Sequence, residues 1–241
     1  MKMKQVFLAI GLLIGTCGVL QGAQAELVRF QLSASEQEWH NKELFDAVFE
    51  GDVERVQDLI ARGANVIARD ELGCIPLHYA YYHPAVMQIL IKADPGSVNF
   101  KSETGVTPLY MAAMIASTYD LPVLEMLLGA GADVEIRSNN GATAVHQAVD
   151  RKKDQEIILS TLLACAPEAV DVKHGKTEET PLMWAIRYHR DLVPFLISVG
   201  ANPDIPNKAG ETPRQLAKKL GCEDLLAKRG DTKPARAIFL E

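Results

Sequence analysis

The sequence predicts an all-α solenoid of about six helix-turn-helix units stacked in a row with short hairpin connections, and three observations lead there. A Thr-Pro-Leu opening, two short apolar stretches and a Gly-Ala-Asp/Asn close recur in the same order along the chain. Aligned on the position of Leu109, the copies bring Leu44, Leu77, Leu109, Val145, Leu182 and Arg214 into register, at spacings of 33, 32, 36, 37 and 32 residues. Each copy is also too small to fold alone. Its short helices are marginal in water, so an apolar face that one unit cannot hide must be buried on the next.

Residues 101–138 show the unit most completely. Thr107-Pro108 reads as a helix start: the hydroxyl accepts from an orphan first-turn N–H, and proline at the first helical position gives up a donor that had no partner. Ala112 and Ala113 offer a small face for close approach, and Leu124, Leu127 and Leu128 form the apolar stripe of a second helix. Gly131 reads as the stop, since glycine enters the left-handed conformation without a Cβ penalty.

The other openings are Ile75-Pro76-Leu77-His78, Thr143-Ala144-Val145-His146, Thr180-Pro181-Leu182-Met183 and Thr212-Pro213-Arg214-Gln215. The closes are Gly63-Ala64-Asn65-Val66, Gly131-Ala132-Asp133-Val134 and Gly200-Ala201-Asn202-Pro203. Over residues 41–230 this pattern resembles the ankyrin repeat, with its period of about 33 residues and T-P-L-H-x-A core. Copies two and four depart from it, with Asp94-Pro95-Gly96 and Ala166-Pro167 where the others stop on glycine. The resemblance implies a concave groove lined by hairpin tips and first helices, and imidazoles at His78 and His146 that tie neighbouring turns together.

In chain order, residues 1–25 read as a secretory signal. Lys2 and Lys4 form a basic start, 6–20 is mostly apolar, and Ala23-Gln24-Ala25 is a small-x-small cleavage site. Cleavage after Ala25 places the mature chain in a periplasm or outside the cell, with no membrane association; an uncleaved anchor is the other reading. Residues 26–40 are a lead-in and the start of a capping helix, opened by a capping box at Ser35-Glu36-Gln37-Glu38 and running through Leu44 to Glu50. A second helix spans 53–61 with Val56, Leu59 and Ile60 inward. Repeat two carries Tyr79, Tyr81, Tyr82 and His83 on its first helix. Repeats three and four hold extra residues between their helices, at 116–120 and 150–154, and such insertions collect on one face. Repeat six puts charge where its predecessors are apolar, as a terminal cap requires, and Thr212 with Gln215 fits a capping box. Residues 231–241 form a tail that either folds back on the last helix or stays disordered.

The chemistry-bearing residues point away from catalysis. The chain has six histidines and four cysteines, yet no paired His ligands at helical spacing, no C-x-x-C, no G-x-S-x-G and no phosphate-binding glycine loop. An enzyme, a cofactor and a metal are therefore not expected. Without Lys2 and Lys4 the balance is 23 Lys+Arg against 31 Asp+Glu, a net of −8. No basic cluster is available for nucleic acid. Cys74, Cys165 and Cys222 read as three free, partly buried thiols in three different repeats.

What is left is recognition of another protein by a monomer. Counting along the repeat places Phe49, Tyr82, His83, Met114, Ile115, Asp150, Arg151, Arg187 and Tyr188 at the two first-helix positions facing the groove, with Trp184 alongside. Aromatic residues, Met and Arg are the types enriched in interface cores. Packing against neighbouring repeats is the competing reading for Tyr82, Met114 and Ile115. The expected function is non-catalytic protein binding through the concave face. An inhibitor or immunity-type protein for a toxin or enzyme, or a protective accessory of an envelope enzyme under oxidative stress, are the runners-up.

Overall fold

Two rows of helices build the protein, here a computed structural model that describes residues 33–115, 121–150 and 154–227. The inner row runs α1 (Ala34–Glu50), a 3-10 helix at Pro76–Tyr82, α4 (Pro108–Ile115), α6 (Ala144–Asp150), α8 (Pro181–Tyr188) and α10 (Pro213–Lys219). The outer row runs α2 (Val53–Ala61), α3 (Pro84–Ala93), α5 (Leu121–Gly129), α7 (Gln155–Cys165), α9 (Val193–Ser198) and α11 (Asp224–Ala227). Each inner helix touches the next in order. The all-α solenoid expected from the repeat is what the chain forms, and no strand occurs among the described residues. The expected signal segment and the C-terminal tail lie outside those residues, as do the insertion at 116–120 and residues 151–153.

The register of the repeat is the register of the core. Leu44, Leu77, Leu109, Val145 and Leu182 are each at most 1% exposed, whereas Arg214, their counterpart in the last unit, is exposed and pairs with Asp204 at 2.8 Å. That polar end is what lets the stack stop. Between the inner helices sit small side chains, including Ala47, Ala80, Ala112, Ala148, Ala185 and Ala217, all fully buried.

Most helix ends follow the sequence signals. The α4, α8 and α10 helices each begin on the proline that follows a threonine. Thr107 Oγ1 accepts from the Tyr110 N–H at 3.2 Å, and Thr212 with Gln215 forms the capping box. At α1 the box is Ser33 with Glu36, two residues earlier than Ser35 with Glu38. Ser33 holds the extended cap conformation (φ −59°, ψ 157°), and Ser35 already lies within the helix.

The first helix of repeat two is 3-10 rather than α. Its bonds close over three residues, His78 N–H to Ile75 O and His83 N–H to Ala80 O. Pro84 disfavours helical geometry at His83, which sits at φ −127°, ψ 80°, so the element ends there and a new helix starts. Prolines explain the two departing repeat ends in the same way. Asp94 and Ala166 are held out of the helix by Pro95 and Pro167, and the chain passes through 3-10 turns at Pro95–Asn99 and Pro167–Asp171.

The hairpin tips form a ladder of their own. Within tips, Asp70 N–H bonds Cys74 O, Ser102 bonds Val106 and Ser138 bonds Ala142, at 2.9–3.0 Å. Between tips, Glu103 N–H reaches Leu72 O, Asn139 reaches Thr104 O, and Gly175 reaches Gly141 O at 2.7 Å. At the last of these a Cβ on Gly141 would lie 3.0 Å from the backbone nitrogens of Gly175 and Lys176, so glycine sets the approach. His78 Nε2 donates to Val106 O (3.0 Å) while its Nδ1 accepts from Ile75 N–H (3.1 Å). His146 repeats this, donating to Glu179 O (3.2 Å) and accepting from Thr143 Oγ1 (3.0 Å). Both imidazoles thus staple one repeat to the hairpin of the next.

Candidate protein-binding face

Five residues after the aligned core position, each inner helix presents one side chain outward. Along the stack these are Phe49, Tyr82, Met114, Asp150, Arg187 and Lys219. Phe49 is 70% exposed, Tyr82 53% and Met114 42%. The row therefore changes character along its length, apolar over the first three repeats and charged over the last three. One residue further on come His83, Ile115 and Tyr188; Ile115 is half-buried and Tyr188 is 65% exposed. Arg151 lies outside the described residues.

Each aromatic in the row is anchored by what surrounds it. Tyr81 and Tyr82 meet edge to face at 4.7 Å. His83 reaches back to donate from Nε2 to Phe49 O at 3.1 Å. Gly51 makes room for it: its φ is +75°, and a Cβ there would stand 2.3 Å from His83 Nδ1. In repeat five His189 likewise faces Asp150 of the previous repeat, at 3.8 Å. Arg187 is held by Glu179 (2.9 Å) and Glu211 (3.4 Å), which makes it a clamp between the last two units.

Trp184 stands behind the face rather than on it. Its half-buried ring packs against His146 (5.0 Å) and His174 (5.6 Å), so the indole belongs to the core of repeats four and five. Burial pushes the pKa of His146 down to about 4 and those of His78 and His174 below the ordinary histidine value, so the staples at His78 and His146 work as neutral rings. Of the thiols, Cys74 and Cys222 are buried and Cys165 is exposed, against the expectation that all three are partly buried. Among the described residues no grouping of His, Cys, Asp and Glu could hold a metal ion, and no helix is long and apolar enough to cross a membrane.

At the N-terminal end the face deepens into an open cleft of about 1030 Å³. One wall is a stripe of α1 at positions 34, 37, 38, 41, 42, 45, 46 and 49, the spacing of a single helix face. The other wall is the hairpin tip at 68–72, and Tyr79 closes the inner side. Counting along the repeat found Phe49 but missed the rest, because the cleft exists only where the first hairpin tip folds against a helix about 30 residues away.

A family model of ankyrin repeats, in three copies, matches residues 113–207. The putative ankyrin repeat protein YahD of Escherichia coli K12 is 27% identical over 190 residues, covering 74% of this chain and 90% of YahD. The chain belongs to the ankyrin-repeat family. Ankyrin repeats bind other proteins and are in general non-catalytic. An intracellular phospholipase A2 of Caenorhabditis elegans is 29% identical over 175 residues, but the chain spans only 16% of that enzyme's length. Among solved structures, the chain resembles the immunity protein in complex with a predatory endopeptidase of Bdellovibrio bacteriovorus. The two share a TM-score of 0.64 and 26% identity, over 78% of this chain and 98% of that one.

Proposed function

We propose that this ankyrin protein is a non-catalytic binder that is exported by its N-terminal segment and grips a partner protein along its concave face. The observation carrying this reading is the outward row at Phe49, Tyr82 and Met114, with Tyr188 beside it. Large side chains left 42–70% exposed serve no core. Aromatic anchors of this kind dominate interface energetics.

Affinity capture from an extract of the source cells and their medium, with the mature chain as bait, tests it. A Tyr82→Ala, Tyr188→Ala double variant is expected to lose the captured partner while its melting curve barely moves. Ile157→Ala, on the outer row, is expected to keep it. Loss with Ile157→Ala and retention by the double variant would move binding to the convex side. A mature mass beginning at Glu26, recovered outside the cytoplasm, is the expected result for export.

The solved immunity protein favours a narrower second reading, in which the partner is a peptidase that this chain inhibits. Inhibition of such an enzyme by wild-type protein, weakened by the same double variant, would support it.

A further inference from the structure

We infer that the cleft along α1 receives a short peptide segment of the partner in which a bulky apolar side chain sits next to lysine or arginine. This rests on the binding role proposed above and names the chemistry of what is bound.

The apolar half of the argument begins at Leu72. It is 61% exposed at the tip of the first hairpin, where the equivalent residues of other tips are Thr104, Asn140 and Ala209. Turn tips favour small and polar residues, and an exposed leucine there packs no core. Across the cleft stand Phe45, edge-on to Tyr79 at 6.0 Å, and Phe49. Phe49 also begins the outward row, so the cleft continues into the apolar half of the face and away from its charged half.

The charge half comes from which groups are already engaged. Arg69 donates to Gly73 O and Lys101 O and lies over the Phe100 ring, so its charge is turned to the next hairpin. Asp70 accepts from Leu72 N–H, Cys74 N–H and the Tyr79 hydroxyl, and is fully employed in shaping the tip. Glu38 and Glu71 hold no ion pair with any described residue, whereas Asp46 lies in the field of the Arg55 guanidinium; Lys42 is the single lining cation without an ion pair to a described residue. Two unbalanced carboxylates against one ammonium, beside an apolar wall that excludes water as it is covered, favour a cationic ligand.

Panning a phage-displayed random dodecapeptide library on the mature chain tests this, with the selected peptides then synthesised and titrated. The pool is expected to be enriched in Lys or Arg adjacent to Leu, Ile, Phe or Trp. Leu72→Ser is expected to weaken those peptides by about tenfold or more. Glu38→Lys with Glu71→Lys is expected to turn selection toward acidic peptides. All three positions are exposed, and unchanged melting curves would confirm intact folding. Enrichment of acidic or uncharged peptides, no enrichment, or affinities indifferent to these variants would overturn the inference. If the selected peptides depend on Tyr82 and Tyr188 but not on the cleft, the concave-face reading stands and this one falls. Independence from both sets defeats both.

Discussion

Thr180 shows what one exchange inside the repeat costs. In repeat four the equivalent Thr143 shares a 3.0 Å hydrogen bond with His146, but repeat five carries Met183 in place of that histidine. The Thr180 hydroxyl is left buried with no partner. An unsatisfied buried hydroxyl costs about 1–3 kcal/mol, while an apolar group of the same shape avoids that cost. Thr180→Val should therefore hold or raise the unfolding free energy in urea, and Thr143→Val should lower it by about 1–2 kcal/mol. Equal destabilisation by both would refute this account. His146 makes a second prediction at the same scale. Its folded pKa of about 4 lies below the ordinary value near 6.5, so between those two the unfolded chain takes up a proton that the folded chain refuses. The stability it contributes is complete above about pH 6.5 and is lost as pH falls toward 4, to the extent of about 3 kcal/mol. His78 and His174 push the same way. Urea unfolding at pH 7 and pH 4.5 should show a smaller difference for His146→Gln than for wild type.

At the scale of the helix, packing decides stability and local chemistry decides boundaries. Leu127 of α5 has no exposed surface, and Leu127→Ala is expected to cost about 2–5 kcal/mol by urea unfolding. A loss below about 1 kcal/mol would contradict its place against the inner row. The second helix of the first repeat, Val53–Ala61, was legible to the residue, since Asp52 caps it by accepting from Arg55 N–H. The capping box of α1 was not, because Ser33 with Glu36 and Ser35 with Glu38 offer the same spacing and nothing local separates them. Nor was the 3-10 form of 76–82 legible at its start, where Ile75-Pro76 reads like every other opening. Only its end carries a local signal, in Pro84, which holds His83 out of helical geometry.

Across the whole molecule, coupling runs between neighbours, and the two halves of the face differ in how far their side chains are already engaged. The outward row could be read by counting five residues from each aligned core position. Which members stay free could not, because that depends on partners far along the chain. Trp184 is claimed by rings at 146 and 174, and Arg187 by carboxylates at 179 and 211. Glu211 also faces Lys219, so one charged chain joins the hairpin of repeat five to the last inner helix. In a linear stack such a clamp stabilises only the units it joins. With side chains only 15–32% exposed, the Arg187–Glu179 pair is sheltered enough to contribute about 1 kcal/mol. Arg187→Ala should consequently lower hydrogen-exchange protection about fivefold in α10 and α11. The α1–α3 helices, at the other end of the stack, should exchange as in the wild type. Uniform loss of protection along the chain would mean that the repeats unfold as one cooperative block, and would remove the basis for treating the apolar N-terminal half as an independent docking surface.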